Sequence, residues 1–75
     1  MQIEMRYFAI LRERAGRERE LFDVPPGSSA SQAFELRFPG LGLPVGYARN
    51  GAMCSGAAVL AEGDELALLP PIGGG

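Results

Sequence analysis

Seventy-five residues with a formal charge of −2, one cysteine and neither histidine nor tryptophan describe a single small domain. A chain of this length hides only about 60–65% of its unfolded surface, so the core is thin. The lone Cys54 permits no internal disulfide, and the absence of histidine removes plausible metal sites and the commonest general base.

Self-contained catalysis is therefore not expected. All seven basic residues are arginine, set against nine acidic ones, a balance that argues against nucleic-acid binding. No apolar run approaches a membrane span, and the opening MQIEMRYFAI lacks a basic leader region. A soluble, cytoplasmic protein with a free thiol is the expectation. Without lysine, no side chain can accept an isopeptide bond from a second copy.

From Gln2 to Phe8 polar and apolar residues alternate, placing Ile3, Met5 and Tyr7 on one face and Gln2, Glu4, Arg6 and Phe8 on the other. That period of two predicts a half-buried strand, with Phe8 conspicuous on its polar face. Ile10 to Ala15 predicts a short helix closed by Gly16. Arg17 to Val24 predicts a second strand with Phe22 and Val24 inward, ended by Pro25-Pro26-Gly27. Ser28 and Ser29 can cap a helix running to Phe38, its apolar side built from Ala33, Phe34, Leu36 and Phe38. Pro39-Gly40 stops it.

After a Gly/Pro-rich connection over 41–46, Asn50-Gly51 between Tyr47-Ala48-Arg49 and Ala52-Met53-Cys54 predicts a tight hairpin. Residues 55–62 read as a loop, Gly63-Asp64 as a turn and Glu65 to Leu69 as the last strand, with Leu66 and Leu68 on one face. Two strands, a main helix and a return to sheet predict an α+β domain over 1–69. Periodicity does not fix the strand order.

Residues 70–75, PPIGGG, form a tail of different character. Pro70 and Pro71 cannot donate ladder hydrogen bonds, so the sheet stops there, and both favour an extended exit. Four residues beyond Pro71 reach about 13–14 Å. Gly73, Gly74 and Gly75 have no Cβ and can thread a channel too narrow for other residues. A terminal carboxylate, ionised at neutral pH, can attack the α-phosphate of ATP to give an acyl-adenylate. Set against this is an inert, frayed end.

Two stretches, YFAILRERAG (7–16) and RNGAMCSGAAVLAEGDELALLPPIGGG (49–75), resemble the small-subunit family of molybdopterin synthase. These MoaD-like proteins are ubiquitin-like sulfur carriers. An aromatic pair before Ala, an Arg-Glu helix closed by Gly, an Asn-centred turn, a Gly-Asp-Glu turn and Pro-Pro before Gly-Gly occur in the family's order. The resemblance implies a β-grasp fold, a mixed sheet with one main helix packed across it. It also implies that an E1-like activating enzyme adenylates Gly75 with ATP and that a sulfur donor, a sulfurtransferase or cysteine desulfurase, converts it to a thiocarboxylate. The tail, Pro70, Pro71, Ile72, Gly73 and Gly74, would insert into the large subunit, which holds the catalytic groups and assembles with this chain as a heterotetramer. No bound cofactor or metal is implied. The segment 28–38 is about one helical turn shorter than is usual in the family.

Phe8, Met53 and Leu69 match positions of an apolar patch that the family turns to its large subunit, and Arg12 could meet an acidic group there. Isolated exposed apolar residues are also ordinary. The alternating charges from Arg12 to Glu20 read as a solvent-facing segment, Cys54 as a half-buried strand residue, and Asp64-Glu65 as turn chemistry. Carriers for thiazole, cysteine or tRNA thiolation, and ubiquitin-like modifiers of lysine, share the fold and the Gly-Gly end and stand as alternatives.

Overall fold

The computed structural model describes residues 1–71. Its elements are β1 (Gln2–Tyr7), α1 (Ala9–Ala15), β2 (Arg19–Asp23), α2 (Ala30–Arg37), β3 (Gly46–Arg49), β4 (Ala52–Cys54) and β5 (Glu65–Leu69). The strands form one five-stranded sheet in the order β2-β1-β5-β3-β4. β1 and β5 run parallel at its centre, with Met5 beside Leu66 and Tyr7 beside Leu68. Every other pairing is antiparallel. A parallel central pair needs a crossover, and the chain between these strands supplies it with α2. This is the β-grasp arrangement that the sequence resemblance implies.

Alternation along the strands decides which side is covered. Ile3, Met5, Tyr7, Leu66 and Leu68 all face inward and are buried. α2 meets them with Ala30, Ala33 and Phe34, a spacing that lies along one side of a helix. Ser29 starts α2 with a reciprocal cap: its hydroxyl accepts from Gln32 N–H, and the Gln32 side chain accepts from Ser29 N–H. Leu36, expected on the apolar side of the helix, is instead half exposed. It stands two residues, roughly 200° of helical rotation, beyond Phe34 and so points away from the sheet. Phe38 closes the helix and sets its ring edge-on to Tyr7, 5.4 Å between centroids.

Gly16, at φ 75°, ends α1 and donates its N–H to the Arg12 carbonyl. In the hairpin Asn50 and Gly51 both have positive φ, 51° and 84°, the pair of values that a type I′ turn requires.

One charged residue departs from the solvent-facing reading of 12–20. Glu20 is half-buried; it accepts the Tyr7 hydroxyl and the Arg37 Nε–H, tying β1, β2 and α2 together. Burial opposes ionisation of Glu20, but the hydrogen bonds from Arg37 and Tyr7 outweigh it and hold the carboxyl below its usual range. Burial, reinforced by the Glu20 carboxylate, pushes the Tyr7 phenol well above its ordinary value.

The signs follow from linkage. The Glu20 contribution is complete above its unfolded value of 4.5 and is lost as pH falls through the lower native one. The Tyr7 contribution is complete below its unfolded value of 10.0 and is lost as pH rises through the native one. Glu20→Ala strands a phenol and a guanidinium and should cost about 1–3 kcal/mol at neutral pH. In urea titrations the difference from the parent protein should shrink below pH 4; a difference that stays constant into acid would rule out this role for the carboxylate.

Candidate functional site

The outer sheet face, opposite α2, divides into a charged half and an apolar half. In the charged half Arg19 reaches Glu4 at 3.4 Å and Glu65 at 3.9 Å, and Arg6 reaches Glu65 at 3.9 Å. All four residues are partly solvated, so each pair adds little stability. Their effect is to hold cations and anions in mutual balance on this half of the sheet.

The apolar half surrounds the end of β5. Phe8 has extended backbone, φ −128° and ψ 153°, and so continues β1 by one residue. The register that sets Tyr7 beside Leu68 therefore brings Phe8 alongside Leu69. Ala9 then takes φ 51°, a left-handed value uncommon for a residue with a Cβ, and turns the chain at once into α1. The Arg6 guanidinium lies over the Phe8 ring, 5.1 Å from its centroid, and fixes one side of the ring.

On the other side of Leu69 lies Gly46, its partner in β3. A Cβ at Gly46 would stand 3.6 Å from Met53 Cε and 3.8 Å from Leu69 Cβ. Both are ordinary contact distances, and they place the Met53 side chain, 70% exposed, over the Gly46 backbone on the side of Leu69. Leu69 of β5 and Met53 of β4 share one face with Phe8, the residue that directly follows β1. Arg12 belongs to α1 and not to this face; it pairs with Glu18 at 3.7 Å, both side chains well solvated. Sequence reasoning passed over Gly46 and the stacking role of Arg6. Alternation did place Arg6 with Phe8, and it was the signal available for the second of these.

Pro70, directly after β5, is buried, and Pro71 is exposed. The chain therefore leaves the body beside the apolar half of the sheet. Ile72, Gly73, Gly74 and Gly75, where the reactive end and most of the tail were expected, lie outside the described residues.

The start of β5 is held as firmly as its end is bare. Asn50 Nδ2 donates to Asp64 Oδ1 at 3.0 Å, and the Glu65 N–H donates to Asn50 Oδ1 at 2.9 Å. The Ala61 N–H donates to Asp64 Oδ2 at 2.8 Å. The hydrogen bond from Asn50, then that from Ala61, hold the Asp64 carboxyl below its usual range. Asp64 is turn chemistry, as the sequence suggests. Cys54 is a half-buried free thiol on β4, opposite Tyr47. Among the described residues no helix is long and apolar enough to cross a membrane.

Known proteins share this arrangement. SAMP1 from Haloferax volcanii is 31% identical, with both chains covered completely and a TM-score of 0.74. The small archaeal modifier protein 1 from Methanosarcina acetivorans matches in fold at 22% identity and a TM-score of 0.72, over 99% of this chain and 96% of its own. A chain from the complex of subunits 1 and 2 of molybdopterin-converting factor from Helicobacter pylori matches at 22% identity and a TM-score of 0.63, over the full length of both. No curated protein matches the chain significantly. The ThiS family model matches residues 5–75, from the middle of β1 to the last glycine. With the sheet order and this extent of match, the chain belongs to the ThiS family of ubiquitin-like sulfur carriers and modifiers.

Proposed function

We propose that this chain carries sulfur on the carboxyl group of Gly75 and delivers it for the dithiolene of molybdopterin, as the small subunit of a molybdopterin synthase. The observation that carries the reading is the exit of β5 through Pro70 beside Phe8, Leu69 and Met53. A surface that docks a partner at that point directs the following residues into it. The reaction begins when the Gly75 carboxylate attacks the α-phosphate of ATP on an activating enzyme and pyrophosphate leaves. A sulfur donor's persulfide sulfur then displaces AMP to give an acyl disulfide, and a thiol cleaves it, leaving the thiocarboxylate and a disulfide between the two former thiols.

In this reading the domain over 1–69 is a handle and 70–75 the working segment. Pro70 and Pro71 stiffen its root, and Ile72, Gly73 and Gly74 pass through the partner's channel. The chain contributes no acid or base; catalytic groups sit on the large subunit. The Helicobacter pylori complex of subunits 1 and 2 supports a partner of that kind. The charged quartet on the other half of the sheet would limit how far that partner spreads, since its ions are already paired.

A second reading, a protein modifier joined through Gly75 to target amines, is favoured by the similarity to small archaeal modifier protein 1. One incubation separates the two. The chain with ATP, activating enzyme and sulfur donor gains the oxygen-to-sulfur mass change at Gly75 if it is a carrier. Conjugates to added protein without sulfur at Gly75 would favour the modifier; neither product would reject both.

Docking is tested by Phe8→Ala and Met53→Asp, each expected to weaken binding of the large subunit by about 1–2 kcal/mol, roughly 5–30-fold. Neither side chain belongs to the buried core, so folding should persist by circular dichroism. Unchanged titration calorimetry for both variants would move the interface elsewhere.

A further inference from the structure

Asn50 is the chain's only asparagine, it precedes a glycine, and both residues are exposed at a turn. An Asn-Gly bond is open to an internal reaction because glycine puts no side chain around the attacking nitrogen. The Gly51 backbone nitrogen attacks Asn50 Cγ, its proton passes to the departing amide nitrogen, and ammonia leaves as a cyclic imide closes. Water then opens the imide at either carbonyl, giving aspartate or isoaspartate. No oxidant or cofactor takes part.

To react, the Asn50 side chain must swing back over the Gly51 nitrogen. Two hydrogen bonds oppose that motion: Nδ2 donates to Asp64 Oδ1 at 3.0 Å, and Oδ1 accepts the Glu65 N–H at 2.9 Å. The backbone is pinned as well, the Asn50 N–H donating to the Glu65 carbonyl at 2.8 Å. Asp64 itself is steadied by the Ala61 N–H, so it is a fixed post and not a swinging partner.

We propose that the Asn50–Gly51 turn is a site of spontaneous deamidation in the native protein, and that Asp64 governs its rate by holding the amide. The product is not neutral to the fold. Aspartate would face the Asp64 carboxylate where an N–H donor now stands, exchanging a hydrogen bond for like-charge repulsion. Isoaspartate would add a backbone carbon at the turn between β3 and β4 and disturb the register of that pair. Met53 is carried by β4, so its place on the outer face shifts with that register.

The test is timed incubation of the full chain at pH 8 and 37 °C, followed by peptide mapping that resolves aspartate from isoaspartate at position 50. Native protein, Asp64→Ala and urea-unfolded chain are run together, with circular dichroism to establish folding. The expected order is native slowest, Asp64→Ala faster by a factor on the order of ten, and unfolded chain fastest. Asp64→Asn, which keeps one oxygen for the amide, is expected between native and Asp64→Ala and serves if the alanine variant does not fold. Equal rates in the native protein and in whichever of these variants folds would overturn the role of Asp64. Complete conversion of the unfolded chain with none in any folded protein would overturn the site itself.

Discussion

Removing Gly74 and Gly75 should abolish sulfur loading completely while leaving the melting temperature within experimental scatter. The truncated chain keeps every residue of the sheet, from β1 through Leu69, and the buried Pro70. Its new carboxyl group, on Gly73, falls short of the old position by two residues, about 7 Å. An active site that must bring a carboxylate oxygen within bonding range of a phosphorus atom does not tolerate such a displacement. Mass spectrometry after incubation with ATP, activating enzyme and sulfur donor reads the loading, and calorimetry reads the fold. If the shortened chain still gains sulfur at its terminus, the delivery reading is wrong. A melting temperature lowered by several degrees would instead mean that the last glycines pack against the body.

Leu68→Ala should be the most damaging single change in the core. Leu68 is completely buried in the central strand, beside Tyr7 of β1 on one side and Tyr47 of β3 on the other. Truncation removes transfer energy and leaves a cavity, together about 2–5 kcal/mol. Domains of this size have roughly 4–11 kcal/mol in all, so the loss approaches half of the total. The thermal midpoint should fall by about 10–30 °C. Urea titration with an unchanged slope is the cleaner measurement; a loss below about 1 kcal/mol would show that α2 settles into the gap.

The elements legible in the sequence are those written in short-range chemistry. Ile3, Met5 and Tyr7 alternate, Ser29 stands three residues before Gln32, Gly16 ends a helix, and Asn50-Gly51 makes a turn; each signal lies within a few neighbouring positions. What stayed hidden depends on pairing between distant segments. Glu20 sits in a run of alternating charges and looks solvated until Arg37, seventeen residues on, is brought over it. Leu36 looks like core because it is leucine, and only the rotation between positions 34 and 36 turns it outward.

The apolar surface was half legible. Phe8 betrayed itself by breaking the polar face of β1, whereas the placing of Met53 and Leu69 on one face depends on the register of β4, β3 and β5. Arg12 carried no such signal and pairs with Glu18 on its own side of the chain. The role given to Gly75 came from the ordered set of motifs and not from the glycines themselves, which say only that a narrow passage is possible.

Because β5 is the middle strand of the sheet and not an edge, a growing chain cannot finish its core until residues 65–69 have left the ribosome. Contacts between β1 and β5 span about sixty positions, and such distant pairings slow folding. A chain stopped before Glu65 lacks the strand that joins β1 to β3 and has no native-like surface to offer. In the proposed reading, blanks that stop short of β5 are excluded by folding itself, and only those cut within the last few residues could compete for a docking site.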